Sequence, residues 1–382
     1  MVAAAFALES ALFSTLSPLL PHYESEFAMS RLASGVLAAS YTAGMVVGTL
    51  IAGLWASARF GVRATALVGC ALLAGSSLVF GAADSVLMLD LTRGVQGIAA
   101  GLVWCSLLGW LILLTPAEAR GRMMGAALGA AVFGSASGPL LGAATQVVGT
   151  FAVFAAIAAA VAVYTVVLSG AEPPPRDEGT LPELRLPRDR QLRWIAAIGF
   201  VPPLLIAGVV TILPLQLVER GASEAGVDAV LLVGSLVAAV GCIAAGRAAD
   251  RRGYMAPVVV GIVASALSLV VMSVAGSPLA LGVGYALFQG LGLGFFWVPL
   301  TSLFTHRGES IGMSAAAAAL VLNLSFTVAS TIGPPLLTGL EQGTTEAMPY
   351  LAMAGLTLLC LAAVMQRRLA LGSRVAVGEA QG

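Results

Sequence analysis

The sequence predicts an all-α polytopic membrane protein whose twelve transmembrane helices form two six-helix bundles related by a pseudo-two-fold axis. Three observations lead there: the composition, the spacing of the apolar runs, and landmark residues that recur in both halves. Of the 382 residues, 59% are hydrophobic and 10% charged, whereas soluble domains average about 45–50% and about 25%. A surface this apolar suits hydrocarbon and not water.

A span needs about 20 apolar residues, and candidates fall near 1–20, 32–56, 64–83, 86–112, 123–145, 150–169, 194–217, 228–248, 257–275, 279–303, 311–338 and 347–366. The first run has no basic n-region and carries Glu9 in its middle, so it is expected to stay as a span. All 19 basic residues are Arg. Without lysine there is no P-loop, Schiff-base or pyridoxal-phosphate chemistry. Sixteen of the Arg lie in alternate loops and the C-terminal tail, Arg31 and Arg220 lie in the opposite loops, and Arg93 lies within a span. The positive-inside rule makes the Arg-rich side cytoplasmic, and an even number of spans then places both termini there, in a cytoplasmic (plasma) membrane protein.

Residues 171–193 carry five prolines and ten charged residues between two nearly charge-free runs. They read as a solvated cytoplasmic linker between a first bundle at 1–170 and a second at 194–370, with 371–382 as a cytoplasmic tail. Matching punctuation supports the duplication: Gly61 recurs as Gly253, Gln96-Gly97 as Gln289-Gly290, and Gly138-Pro139 as Gly333-Pro334, at offsets of 192, 193 and 195. Parallel repeats of this kind define one transporter class.

Few residues in the spans can do chemistry. Arg93 within a span costs roughly 2.5–3.5 kcal/mol by insertion scales, so it is expected to face a wet cavity and an acidic partner. Glu9 lies twelve residues before Pro21 and Arg93 nine after Asp84, which at about 1.5 Å per residue puts them some 18 and 13 Å below the same surface. Asp90, at i−3 from Arg93, competes for it. Gln96, Gln289 and Asn323 are candidates for the cavity, because an unpaired amide facing lipid is costly. Tyr41, Trp104, Phe296 and Trp297 are weaker ones, since aromatic residues in spans more often pack or anchor at an interface. Cys70, Cys105, Cys242 and Cys360 sit in apolar runs without C-x-x-C spacing, and His22 and His306 lie in loop or interfacial positions, so neither a metal site nor a cofactor is expected.

Three motifs resemble the major facilitator superfamily. After span 8 stands Gly246-Arg-Ala-Ala-Asp250-Arg251-Arg-Gly253, similar to the superfamily's loop signature. Its first copy, from Gly53 to Arg63, departs from the pattern, with Ala58 where an acid is expected, and so lacks the usual gating carboxylate. Arg93 to Gly97 is similar to the R-x-x-Q-G motif of proton-coupled members. Gly125, Gly134, Gly138-Pro139 and Gly142-Ala143 resemble the G-x8-G-x3-G-P-x-x-G-G signature of the drug:proton antiporters, short only of the last glycine. Glycines clear a strip for close helix approach and Pro139 bends the helix.

The resemblance implies a proton-coupled exporter of amphipathic small molecules working by alternating access, with Glu9, Arg93 and Asp90 in proton coupling, and with protons, a small-molecule substrate and the lipid bilayer as its partners. A monomer is expected, with no nucleic-acid partner. An uptake symporter or facilitator for a polar metabolite is the alternative, and a non-transporting membrane sensor or scaffold a second one. An enzyme is the least expected, since no nucleophile–base pair or metal cluster stands out.

Overall fold

The computed structural model describes residues 2–114, 117–171, 189–313 and 315–379. Among the described residues, twelve helices are long and apolar enough to cross a membrane: α1 (Val2–Glu26), α2 (Arg31–Ala56), α3 (Val62–Gly81), α4 (Val86–Leu111), α5 (Gly129–Val148), α6 (Thr150–Ser169), α7 (Arg190–Glu219), α8 (Glu224–Ala249), α9 (Met255–Ser273), α10 (Pro278–Ser310), α11 (Leu320–Gly343) and α12 (Met348–Gln366). Each matches one apolar run of the sequence. Side chains fix several starts: Ser30, Ser223 and Ser277 accept from backbone N–H groups in the first turns of α2, α8 and α10.

Asp189 does the same for α7, accepting from Leu192 N, so that helix begins at Arg190, a few residues before the expected start of the second bundle. Of the expected linker, 172–188 lies outside the described residues. The last helix continues beyond its apolar part to Glu379, through the segment expected as a tail.

The apolar residues condense into two large cores. One runs from Ala5 to Leu168, joined by Leu215, and the other from Leu192 to Val364. Large side chains such as Val147, Val166, Leu279 and Leu359 stay exposed on the outer faces, where hydrocarbon is the solvent.

The repeat seen in the sequence is physical. Gly61 and Gly253 both sit at positive φ, +87° and +74°, in the sharp turn between two helices, where a side chain would be strained. A Cβ on Gly138 of α5 would lie 2.1 Å from Ser14 Oγ of α1, and one on Gly333 of α11 would lie 2.5 Å from Leu204 O of α7. Gly97 presses α4 on Tyr41 of α2, and Gly290 presses α10 on Val237 of α8. The recurring glycines therefore mark the same helix contacts in each half.

Contacts between the halves gather toward the end of the molecule that holds the α1–α2 and α7–α8 turns, the Arg-poor end. There Gly35 of α2 abuts Pro334 and Thr338 of α11. Leu32 N donates to Gln342 Oε1 at 3.0 Å, Thr331 Oγ1 to Thr42 Oγ1 at 3.1 Å, and Gln146 Nε2 of α5 to Asp228 Oδ2 of α8 at 3.2 Å.

Candidate proton and substrate site

Glu9 lies in mid-helix on α1 and is 4% exposed. Its carboxylate is held from two other helices: the Tyr41 hydroxyl of α2 donates to Oε1 at 2.5 Å, and the Trp104 indole N–H of α4 donates to Oε2 at 2.5 Å. Ser10 Oγ adds a longer bond to Oε2 at 3.3 Å. Phe6 stacks on Trp104 with ring centroids 3.8 Å apart, and Phe13 tilts against Tyr41 at 5.1 Å. The acid thus sits in an aromatic cage that supplies hydrogen bonds but no positive charge.

Arg93 lies near the acid but forms no ion pair with it. It is 1% exposed and donates to Phe13 O at 2.7 Å, Gln96 Oε1 at 2.9 Å and Leu12 O at 3.4 Å. Its guanidinium lies over the Tyr41 ring, 4.4 Å from the centroid. The expectation of a wet cavity and a carboxylate partner is therefore corrected: Arg93 is buried and neither Glu9 nor Asp90 is within ion-pair reach of it, its donors being turned to backbone carbonyls and Gln96 instead. Backbone carbonyls of α1 have a second lone pair each, and a planar fork of five donors can use them from the neighbouring helix. Tyr41 touches both charged groups, one through its hydroxyl and one through its ring face.

Asp90 is half-buried on α4, beside Ser40 of α2, with Oδ1 lacking a partner. Gln96 is fully buried and serves Arg93. Gln289, in a single π-helical turn of α10 (Phe288–Leu293), donates to Tyr285 Oη at 2.7 Å. Both amides thus bond within their own half. Asn323 differs, since it is half-buried on α11 and its Oδ1 has no partner. Trp297 of α10 faces Phe326 of α11 at 6.0 Å and borders a small, mostly apolar recess with Ile195, Gly199, Leu300, Phe304 and Leu322. Both donors of the Glu9 cage, Tyr41 and Trp104, were among the weaker candidates in the sequence, because a phenol or indole aimed at a carboxylate looks, in one dimension, like any packing aromatic.

The glycine strip of α5 faces α1, the helix that carries Glu9. Cβ atoms on Gly134, Gly138 and Gly142 would meet Ala7 O at 2.1 Å, Ser14 Oγ at 2.1 Å and Pro18 Cγ at 2.5 Å. Pro139 between them is buried. The side-chain environments of Gly125 and Asp250 lie outside what the structure describes. Gly246 and Gly253 have open space around their Cβ positions, and Arg251 is exposed. At the Arg-rich end Arg63 of α3 instead donates to Ser169 O at the end of α6. Arg307 Nη2 bonds Asp189 Oδ2 at 2.6 Å, tying the end of α10 to the start of α7 and holding the Asp189 carboxyl below its usual range.

Two halves of six membrane helices each, packed through the same glycine contacts, with a buried carboxylate caged between helices of the first half, define a secondary transporter of the twelve-helix kind. The Major Facilitator Superfamily model matches residues 2–334, and the chain belongs to that superfamily. An uncharacterized MFS-type transporter of Yersinia enterocolitica is 26% identical over 95% of this chain and 93% of its own. Among solved structures, a bacterial homolog of the human lysosomal transporter Spinster, in an inward-facing and occupied conformation, superposes with a TM-score of 0.76 at 12% identity, covering 96% of this chain and 95% of that one. A D-xylose–proton symporter gives 0.73 at 18% identity, over 94% and 95%. The xylose transporter XylE from E. coli, partially occluded and inward-open, gives 0.72 at 16% over 96% of each chain. At these identities the structures show the shared fold.

Proposed function

We propose that the protein is a proton-coupled antiporter of the plasma membrane that exports an amphipathic, cationic small molecule by alternating access, with Glu9 as the group that binds proton and substrate in turn. The observation that carries this reading is the Glu9 cage. A carboxyl 4% exposed, bonded by Tyr41 and Trp104 and lacking a cationic partner, is stable with a proton, or with an organic cation that brings its own positive charge. The exchange balances: the carboxylic acid releases its proton as the cation pairs with the carboxylate, and the reverse occurs when the cation leaves. Trp104 and Phe13 are the half-buried members of the cluster, so access to the carboxylate runs past them. Their rings offer a cation apolar walls and π faces. With the Arg-rich end cytoplasmic, contacts gathered at the opposite end correspond to a conformation closed to the outside.

Arg93 is a positioning residue in this reading. It ties α4 to the α1 backbone one turn beyond Glu9 and fixes the Tyr41 ring. The test is a panel of lipophilic cations and neutral analogues added to proteoliposomes carrying a pH gradient, read by a pH-sensitive dye. Cation-induced proton efflux that is lost in Glu9→Gln supports the proposal. Unchanged coupling in that variant transfers the role to Asp90. Protons moving with a polar metabolite in the same direction would establish an uptake symporter instead.

A further inference from the structure

A second buried carboxyl lies far from Glu9, in the seam that closes the Arg-poor end. Glu341, in the last turn of α11, is 7% exposed. Its Oε1 accepts from Gln216 Nε2 of α7 at 2.5 Å, and its Oε2 is buried with no hydrogen-bond partner. Gln216 is itself fixed by the Tyr350 hydroxyl of α12, which donates to Gln216 Oε1 at 3.0 Å.

Every element around this carboxyl contributes charge. From α2 comes Arg31, whose Nε is 4.0 Å from Glu341 Oε2. Arg31 is already engaged by Glu24 of α1 at 3.3 Å and by Glu219 of α7. From the end of α7 comes Arg220, paired with Glu346 at 2.8 Å. Two guanidinium groups therefore face four carboxylates, Glu24, Glu219, Glu341 and Glu346. Glu24, Glu219 and Glu346 each have a close cation and some exposure to water. Glu341 has neither.

Arg31 and Glu24 belong to the first half of the molecule, Glu219, Glu341 and Gln216 to the second. Separating the halves at this end must break the Arg31–Glu219 pair and let water reach Glu341 Oε2. A buried carboxylate with an unpaired oxygen is costly, a carboxylic acid there far less so, and a hydrated carboxylate costs nothing.

We infer that Glu341 is a second proton-binding site, independent of Glu9, which holds a proton while the Arg-poor end is closed and releases it when that end opens. Acid on that face then favours the closed conformation and alkali the open one. For one linked proton the open-to-closed ratio changes at most about tenfold per pH unit.

The test reads distance and not transport, so it does not depend on the role of Glu9. Spin labels at Ser85→Cys and Gly276→Cys, exposed positions in the α3–α4 and α9–α10 turns of opposite halves, are placed in full-length protein lacking its four native cysteines and reconstituted in lipid nanodiscs. Distance distributions are recorded from pH 5 to pH 9, with and without Glu9→Gln. The expected result is a long-distance population that grows with pH up to the one-proton slope, in both backgrounds. Glu341→Gln, a permanent mimic of the protonated group, should hold the closed distance at every pH. Glu341→Asp keeps a titrating group and should keep the response with a displaced midpoint, which tests the inference even if the Gln variant folds poorly. A wild-type distribution that ignores pH, a response retained in Glu341→Gln, or a midpoint unmoved in Glu341→Asp would each overturn it.

Discussion

Gly134→Ala adds one methyl group where α5 lies directly against the backbone of α1. The new Cβ would stand 2.1 Å from Ala7 O and 2.7 Å from Ala7 Cα. The obstacle is backbone, so no side chain can rotate away. Ordinary van der Waals contact begins near 3.4 Å, and the two helices must therefore part locally by about 1.3 Å. Overpacking of this kind costs about 1–3 kcal/mol, against a gain of roughly 0.8–1 kcal/mol in helix propensity for replacing glycine. The net loss of stability is thus modest, about 1–2 kcal/mol at most. The functional loss should be larger, because Glu9 lies two residues from Ala7. Its bonds to Tyr41 and Trp104 are each 2.5 Å, and a displacement of about 1.3 Å carries one or both beyond hydrogen-bond range. Gly129, one turn and a half earlier on α5, has nothing within 4 Å of its Cβ position, so Gly129→Ala serves as the matched control. In proteoliposomes Gly134→Ala should lose at least about tenfold in substrate-induced proton flux, or leak protons without substrate, while Gly129→Ala stays at wild-type flux and melts at the same temperature or slightly higher. Equal behaviour of the two variants would refute the claim that this strip sets the position of the Glu9 helix.

Other outcomes follow from the same geometry. Gly138→Leu, with a Cβ 2.1 Å from Ser14 Oγ, should block turnover or open a proton leak with little change in which compounds bind in an equilibrium assay; wild-type turnover with an altered substrate range would mean that the strip lines the binding site. Arg93→Lys should lower thermal stability by about 1–3 kcal/mol, because an ammonium cannot reach Leu12 O, Phe13 O and Gln96 Oε1 from one place; an unchanged melting temperature would contradict the bonding described. The Asp189–Arg307 tie involves a carboxyl held below its usual range, so its contribution is present above about pH 4, the unfolded carboxylate value, and fades as pH falls through the lower folded value. Asp189→Asn should accordingly lower the melting temperature at pH 7 and converge with wild type in strong acid, and a constant difference across that range would contradict a contribution from the ionised carboxylate. Cysteine probes at Ser169 and Ser373 should resist impermeant reagents added to intact cells, and labelling of either from outside would reverse the topology.

What the sequence made legible follows from which quantities one dimension preserves. Apolar run length is preserved, so all twelve spans were readable, although ends such as those of α1, α5, α10 and α11 fall six to nine residues from where the runs put them. Glycine and proline spacing is also preserved, which is why Gly138-Pro139 and Gly333-Pro334 identified equivalent packing contacts before any coordinates. Depth survives too, since rise per residue is constant, and Glu9 and Arg93 do share the Tyr41 neighbourhood that their depths implied. Azimuth does not survive. Depth arithmetic could not show that Tyr41 offers its hydroxyl to Glu9 and its ring face to Arg93, that Trp104 points its N–H at Glu9, or that Gln96 turns to Arg93 and not to a cavity. Glu341 was overlooked for a related reason: an acid in the last turn of a span reads as an interfacial residue, and only the meeting of α2, α7 and α11 buries it.

These arrangements share one helix. Along α1, Ala7, Ser14 and Pro18 receive the glycine strip of α5; Glu9 turns to Tyr41 and Trp104; the carbonyls of Leu12 and Phe13 hold Arg93; and Glu24 at its end reaches Arg31 and Ser34. Pro18 and Pro21 interrupt its backbone bonding between the Glu9 cage and the Arg31 cluster, which allows a bend at that point. A change in what Glu9 binds alters the bonds to α2 and α4, and α1 cannot move sideways freely because backbone contact with α5 blocks it. The direction left open is rotation or bending about the prolines, which carries Glu24 and its share of Arg31 with it. On the proposed function, a change at Glu9 reaches the seam at the Arg-poor end mechanically through α1, while the two proposed protons sit on separate groups of separate helices. Replacing Pro18 and Pro21 together by Ala should leave cation binding at Glu9 nearly intact while weakening its influence on the spin-label distance across the Arg-poor end. If bound cation shifted that distance as strongly in the straightened helix as in wild type, the link would have to run through α2 and α4 instead.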